Sequence, residues 1–309
     1  MKSYKTNEFF SDSPCVVALG CFDGVHLGHQ TVIKSAVSIA KQLCVKSAVW
    51  TFDESPRNFF TPYASPVITD RDEKRKLMRA LGIDIFVSVP FDTETGSLSP
   101  KDFFEKILIE KLRAVHIVCG FNYSFGKGGA GKTELLKLLC DQNCIGLTVI
   151  ESIEIDGAPI SSSRIREAVE SGNIEEAQKY LGRPFSINTI VIDGQKLARK
   201  LGFPTVNQVF ERGILVPKNG VYITRVTIDS KKHFGITNVG IRPTVGGKIL
   251  CAETHILDFC GNLYGKKLRV EFLYFMRPET VFSSIDELSQ KVHEDIETAK
   301  AIISQKYSR

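Results

Sequence analysis

Up to residue 182 the apolar and polar positions alternate between two periods. Short apolar runs at Cys15–Gly20, Ser47–Phe52, Ile83–Pro90, His116–Gly120 and Leu147–Ile150 read as strands, and the spacing between them is helical. Directly after the first run, Val32, Ile33, Ala36, Val37 and Ala40 mark one face of a 3.6-residue repeat. A later helix carries its own start signal. Ser99 can cap it, Pro100 takes the first helical position, and Asp102 lies in the first turn ahead of Phe103, Ile107 and Leu112. Strands alternating with helices in this way predict a parallel sheet wrapped by helices, with ligands bound beyond the carboxyl ends of the strands.

The pattern changes after Leu181-Gly182-Arg183-Pro184. The segments Asn188–Ile192, Val221–Ile228, Phe234–Val239, Ala252–Phe259 and Lys267–Tyr274 are β-rich and broken by Gly, Asn and Pro, which predicts an antiparallel barrel or sandwich. An amphipathic helix over Ser284–Ser304, apolar at Ile285, Leu288, Val292, Ile296 and Ala299, is expected to close this half. The change divides the chain into domains 1–182 and 183–309, with no internal repeat and no low-complexity segment.

Composition narrows the function more than the fold. With 309 residues, 43% hydrophobic and 24% charged, the chain can fill two cores. A formal charge of +5 and a pI near 8.7, without a dense Lys/Arg block, suit anionic small molecules and do not call for nucleic acid. The eight cysteines are scattered, and several fall inside apolar runs where a thiol behaves as a small hydrophobe. Cys140 and Cys144 are close, but no second ligand pair accompanies them, which argues against zinc. No basic leader with an apolar core is present, and no apolar run is long enough to span a bilayer. The expectation is a reducing cytoplasm, no membrane partner, and a monomer or weak homo-oligomer.

The densest chemical signal is Gly20-Cys21-Phe22-Asp23-Gly24-Val25-His26-Leu27-Gly28-His29, which leaves the first apolar run and opens into the first helix. A helix N-terminus offers unpaired N–H groups and a positive dipole end, and two imidazoles three residues apart add donors for the same anion. The segment is therefore a candidate site for a nucleotide triphosphate. A second one is Ile160-Ser161-Ser162-Ser163-Arg164-Ile165-Arg166, where hydroxyls and arginines at another helix entrance can bind phosphate oxygens and offset charge on a leaving pyrophosphate. A capped helix with two solvated arginines is the plainer alternative.

Between these lies Gly120-Phe121-Asn122-Tyr123-Ser124-Phe125-Gly126-Lys127-Gly128-Gly129-Ala130-Gly131-Lys132-Thr133. Gly126–Thr133 satisfies the P-loop pattern, so a P-loop ATPase is a competing reading. A P-loop should leave a buried strand directly, whereas Phe121–Phe125 inserts Asn and Ser after the strand signal has ended, and no apolar strand ending in a magnesium-binding Asp is convincingly placed afterwards. In the second half, Leu201-Gly202-Phe203-Pro204-Thr205-Val206-Asn207 places a hydroxyl and an amide two residues apart. If extended, the segment puts both on one face, where they could hold Mg²⁺ and the phosphates it bridges. Gly194 through Arg199 forms a basic, small-residue approach, and Glu253 lies on a strand downstream.

These motifs carry a resemblance. The His-Gly-His element resembles the nucleotidylyltransferase superfamily, and its longer form resembles bacterial FAD synthetase. Ile160–Arg166 is similar to that family's Ile-Ser-Ser-Thr-Arg-Ile-Arg, with Ser163 in place of threonine, and Gly120–Gly126 is similar to its Gly-x-Asp/Asn-Phe-x-Phe-Gly. The second half resembles riboflavin kinase through Leu201–Asn207, Gly240-Ile241-Arg242-Pro243-Thr244, Leu263-Tyr264-Gly265-Lys266 and Met276-Arg277-Pro278-Glu279. Along essentially its whole length the chain resembles the bifunctional prokaryotic FAD synthetases.

The resemblance implies an α/β protein: an N-terminal Rossmann-like nucleotidylyltransferase domain and a C-terminal antiparallel β-barrel riboflavin kinase domain closed by a helix. It implies two reactions, phosphorylation of riboflavin to FMN and adenylylation of FMN to FAD with release of pyrophosphate, using ATP and Mg²⁺. His26, His29, Asn122, Ser162 and Arg164 would then serve adenylyl transfer, and Glu253 would be the general base of the kinase. ATP would be bound by Gly20, Phe22, Asp23, Gly24, Gly28, Ser161, Ser163 and Arg166 in the first half, and by Gly194, Arg199, Thr205 and Asn207 in the second. Thr205 and Asn207 would also face the metal.

Three departures from the family pattern stand out. Ala198 takes the place of a glycine, Asp53-Glu54-Ser55-Pro56 lacks a histidine before the proline, and Gly131-Lys132 replaces the more frequent Gly-Asp. Retention of only one activity, a flavin-binding protein without turnover, and an enzyme adenylating another phosphate, such as pantetheine-phosphate or nicotinamide mononucleotide, stay open at this point.

Overall fold

The computed structural model describes residues 1–4, 9–193, 202–244 and 247–307. Its first unit is built on a six-stranded parallel sheet in the order β1-β4-β3-β2-β5-β6. The strands are β1 (Lys2–Tyr4), β2 (Cys15–Leu19), β3 (Lys46–Phe52), β4 (Ile85–Val89), β5 (Ala114–Gly120) and β6 (Gly146–Ile150). The five apolar runs correspond to β2 through β6. The short edge strand β1 carries no such signal, because Lys-Ser-Tyr has neither length nor alternation.

Alternation along the strands sends side chains to two cores. Val16, Ala18, Val49, Phe86 and Val118 pack with the Val32, Ile33, Ala36, Val37 and Ala40 face of the Leu27–Gln42 helix. Val17, Leu19, Trp50, Val87 and Ile117 face Phe103, Phe104, Ile107 and Leu108 on the other side. The helix announced by Ser99 begins as expected, Ser99 Oγ accepting from Asp102 N at 3.0 Å, but from Phe103 to Lys111 it continues as a π-helix. That widening was not legible in the residue pattern.

Strand order reverses around β2. The chain passes from β2 through a helix to β3 on one side, and later places β5 on the other. The crevice beyond the carboxyl ends of β2 and β5, at Gly20 and Gly120, is the switch point where such sheets bind ligands.

The second unit is a closed six-stranded antiparallel barrel in the order β10-β13-β12-β11-β14-β9. After a short hairpin of β7 (Glu154–Ile155) and β8 (Ala158–Pro159) in the first unit, its strands are β9 (Phe185–Ile192), β10 (Thr205–Val209), β11 (Gly220–Ile228), β12 (Lys231–Thr244), β13 (Gly247–Ile256) and β14 (Lys267–Arg277). Closure, rather than a sandwich, follows from β9 pairing with both β10 and β14. The expected Phe234–Val239 strand extends at both ends, and Ala252–Phe259 is displaced toward the N-terminus, because pairing of β12 with β13 continues past the apolar cores of both segments. Inside the barrel the hydroxyls of Thr224, Thr237 and Thr254 form a chain with 2.8 Å links. The Ile285–Tyr307 helix lays Ile296, Ala299, Ile302 and Ile303 against Val221, Ile223, Ile236 and Leu273.

The first compact unit comprises Met1–Ile165 with Tyr180–Gly182, and the second Arg166–Lys179 with Arg183–Arg309. Arg166–Lys179 joins the barrel because Val169 O accepts from Lys218 N at 3.2 Å and Glu175 pairs with Lys306 at 2.8 Å.

Candidate active sites

The turn after β2 is built from uncommon backbone. Phe22, Gly24 and Val25 have φ of 50°, 84° and 42°. Gly24 takes this region freely, but for Phe and Val it costs about 1–3 kcal/mol each and persists only where the surroundings enforce it. They do so here. The buried Asp23 carboxylate accepts from Ile68 N at 3.0 Å and Thr69 N at 3.3 Å, Ser162 Oγ donates to Asp23 O at 2.9 Å, and Thr51 Oγ1 donates to Cys21 O at 2.8 Å. Phe22 and Val25 are themselves buried.

The turn delivers His26 to the N-cap of the Leu27–Gln42 helix, where its Nδ1 accepts from His29 N at 3.2 Å. Accepting at Nδ1 places the proton of the neutral ring on Nε2. The two imidazoles stack with centroids 3.5 Å apart and planes 17° from parallel. A Cβ on Gly28 would come within 3.2 Å of the His26 ring, so the glycine between the histidines is part of this packing.

A cleft of about 710 Å³ opens over this turn. Its lining unites three separate sequence signals: Gly20, Phe22, His26, Gly28 and His29 from the turn, Asn122 from the segment after β5, and Ser161 and Ser162 from the later helix entrance. Asp23 and Gly24 stand behind this surface and brace it, and Ser163 is exposed outside it. Arg164 is likewise outside. Its guanidinium donates to Ala158 O at 2.9 Å and Pro159 O at 3.1 Å and lies 4.5 Å over the Tyr180 ring, so it holds the β8–helix junction. Arg166 sits further along this helix, in the second unit.

One wall went unseen in the sequence. Phe52 and Phe91 meet edge to face at 5.1 Å, Phe60 lies 6.1 Å from Phe91, and Arg57 stands beside them on the lining. Their positions follow no single period, and only the fold gathers them.

The P-loop alternative loses its scaffold. Phe125 and Gly131 exchange backbone hydrogen bonds of 3.0 and 2.9 Å, closing the glycine-rich stretch into a small antiparallel loop well past the end of β5. Lys132 is exposed and absent from the cleft lining.

In the barrel, Asn207 on β10 and Glu253 on β13 are register partners, as are Thr205 and His255. Thr205 and Asn207 fall on one strand face by the two-residue repeat, and His255 Nδ1 donates to Pro204 O at 3.0 Å. Arg242, from β12, ties the pair together: its Nη1 donates to Asn207 Oδ1 at 2.9 Å and its Nε lies 3.5 Å from Glu253 Oε1. Arg242 stood within a quoted motif, but its role was visible only once β12, β13 and β10 lay side by side. Gly194, Ala198 and Arg199 lie outside the described residues.

Among the described residues no group of three or more His, Cys, Asp or Glu side chains is placed to hold a metal ion, and no helix is long and apolar enough to cross a membrane.

The family model for FAD synthetase matches residues 9–164, and that for riboflavin kinase matches residues 181–303. Bifunctional riboflavin kinase/FMN adenylyltransferases are similar over nearly their whole length: that of Listeria monocytogenes is 36% identical over 302 residues, 97% of this chain and 96% of its own. Those of Pseudomonas fluorescens and Bacillus subtilis are each 35% identical over 289 residues, covering 93% of both chains in the first case, and 92% of this chain and 91% of the relative in the second. A solved structure described as a macrolide-efflux protein from Streptococcus pneumoniae is 30% identical, covers 100% of both chains and superposes with a TM-score of 0.88. With both units matched in order and the relatives covered almost end to end, the chain belongs to the family of bifunctional riboflavin kinase/FMN adenylyltransferases.

Proposed function

We propose that the chain phosphorylates riboflavin to FMN in residues 183–309 and adenylylates FMN to FAD in residues 1–182. The observation that carries this reading is the single cleft at the β2–β5 switch point, which gathers the His-Gly-His turn, Asn122 and Ser161–Ser162 around one ligand-sized space.

In adenylyl transfer an FMN phosphate oxygen attacks the α-phosphorus of ATP, the P–O bond to pyrophosphate breaks, and no enzyme nucleophile takes part. The work of the protein is therefore to align the two phosphates and to meet the charge that moves onto the leaving group. His26 Nε2–H, His29 and the helix N-terminus behind them supply donors, with Ser161 and Ser162 from the opposite rim. Asn122 orients the reacting phosphates. Asp23 and Arg164 act at one remove, by keeping the turn and the second helix entrance in place. The Phe52, Phe60 and Phe91 wall suits an isoalloxazine ring, and Arg57 suits the FMN phosphate.

In phosphorylation the ribityl 5′-hydroxyl attacks the γ-phosphorus of ATP, with Glu253 accepting its proton. Thr205, Asn207 and Glu253 form an all-oxygen donor set of the kind a hard divalent ion takes, and Asn207 Oδ1 would exchange its hydrogen bond from Arg242 for the ion. Mg²⁺ bound there would neutralise phosphate charge. Arg242 holds Asn207 and Glu253 in one plane of the barrel wall for their tasks. The enzyme works in the cytoplasm as a monomer or weak homo-oligomer, with small-molecule substrates and neither nucleic acid nor membrane as partner.

Incubating the chain with riboflavin, ATP and Mg²⁺, and separating the flavins over time, tests the reading. FMN that rises and then converts to FAD supports both halves. Riboflavin and FMN both left unchanged would overturn it.

A further inference from the structure

Lys74 is only 1% exposed, yet it sits in the first turn of the Arg71–Ala80 helix. Two effects oppose a lysine at this place. Burial disfavours the ammonium, and the positive end of the helix dipole disfavours any cation. Its Nζ donates to Phe52 O at 3.0 Å and to Cys21 O at 3.2 Å, both of them neutral carbonyls.

The acceptors are informative. Phe52 ends β3 and Cys21 follows the end of the adjacent strand β2, and both residues line the cleft. Thr51 Oγ1 donates to the same Cys21 carbonyl. That carbonyl is thus gripped by two side chains immediately before the left-handed residues Phe22, Gly24 and Val25, which carry the chain to the His26 cap. The ammonium is held by neutral dipoles, while the buried Glu73 carboxylate beside it in sequence pairs with Lys76 at 3.8 Å, so Lys74 brings a positive charge to the two carbonyls at the cleft floor.

We infer that Lys74 is a positioning residue of the adenylyl-transfer site: it fixes the start of the phosphate-binding turn and places a buried positive charge beneath the ligand's phosphates. The inference rests on the reading that a triphosphate occupies the His26–His29 turn. Its effect is selective, since a misplaced turn and a missing charge weaken polyphosphate binding far more than binding of a monophosphate or of the flavin ring.

The test uses the full chain and the variants Lys74→Met, which keeps the stem but removes charge and donors, and Thr51→Val. FAD formation from FMN gives the KM for ATP and for FMN, and inhibition by inorganic pyrophosphate and by AMP gives two further constants. In Lys74→Met the ATP and pyrophosphate constants are expected to rise about tenfold or more, as for loss of a charge-assisted contact, while those for AMP and FMN move less than about threefold. Thr51→Val should shift the same two constants by a smaller factor. FMN formation from riboflavin, carried out in the other unit, should stay at the wild-type level and reports that the chain is folded.

Equal losses for pyrophosphate, AMP and FMN would mark Lys74 as merely structural and overturn the inference, as would no change at all. If Lys74→Met makes no FAD, Thr51→Val decides, and an unchanged pyrophosphate constant there refutes the idea. Failure of the underlying site reading looks different: His29→Ala would then form FAD normally.

Discussion

Arg242 Nε lies 3.5 Å from Glu253 Oε1, while the same guanidinium donates to Asn207 Oδ1 at 2.9 Å, so one residue of β12 aligns the proposed base and the proposed metal-side amide. The fork geometry matters, because a lysine ammonium is a point charge that cannot present two fixed N–H vectors. Arg242→Ala is expected to slow riboflavin phosphorylation about ten- to hundredfold, and Arg242→Lys to recover only part of that loss. Conversion of supplied FMN to FAD should be unaffected. Kinase rates equal to wild type in Arg242→Ala would remove Arg242 from the machinery.

His29→Ala removes one of two stacked imidazoles at the helix N-terminus. Deleting a preorganised donor to developing phosphate charge costs on the order of 10²–10³ in kcat, so FAD formation should fall by that factor. FMN formation should be spared, because Asn207, Glu253 and Arg242 belong to the other unit. An equal loss of both activities would contradict the division of labour.

Gly28→Ala tests the packing between the histidines. The added Cβ would approach the His26 ring at 3.2–3.3 Å, tighter than ordinary van der Waals contact. The ring must tilt, which weakens the Nδ1 cap and moves Nε2. FAD formation is expected to drop about tenfold, since small misplacements of positioned groups are costly, with little change in thermal stability. Unchanged FAD kinetics would show that the ring tolerates the shift.

The elements most legible in the sequence were those whose signal is local. Val32 through Ala40 on the first helix and the five apolar runs depend on their own period, and the two cores use them as that period dictates. The histidine turn was legible for the same reason, being short and contiguous. The strand β1 and the widened Phe103–Lys111 helix were not, because the first is set by pairing with β4 and the second by packing. Lys74 reads in sequence as one more charge in Arg71-Asp72-Glu73-Lys74-Arg75-Lys76, and only the fold shows it buried with its Nζ on the Phe52 and Cys21 carbonyls. Asn207 and Glu253 lie 46 positions apart in sequence and become partners only through the register of β10 on β13.

His116 gives a pH dependence that is independent of catalysis. Its Nε2 lies 2.8 Å from Thr148 Oγ1 and its ring leaves no room for a Cβ at Gly146. Burial lowers its pKa below the ordinary 6.5, so the unfolded chain takes up a proton more readily than the folded one. The contribution of the neutral ring to stability is fully present above about pH 6.5 and is lost as pH falls toward and through the lowered value. Thermal midpoints measured from pH 7 down to pH 5 should therefore decline more steeply for the wild type than for His116→Gln. Parallel declines would show that His116 does not contribute.

Lys132→Ala separates the flavin reading from the P-loop reading most sharply. In a P-loop the lysine reaches the β- and γ-phosphates, and its loss abolishes turnover. Here Lys132 stands at the N-cap position of the Thr133–Gln142 helix without a side-chain capping bond, exposed and outside the cleft, beyond the Phe125–Gly131 closure. An exposed side chain without such a contact changes stability by no more than about 0.5 kcal/mol. Rates of FMN and FAD formation within about twofold of wild type are therefore expected. A loss of either activity by a hundredfold would return Gly126–Thr133 to the reaction and require the nucleotide to bind along that loop.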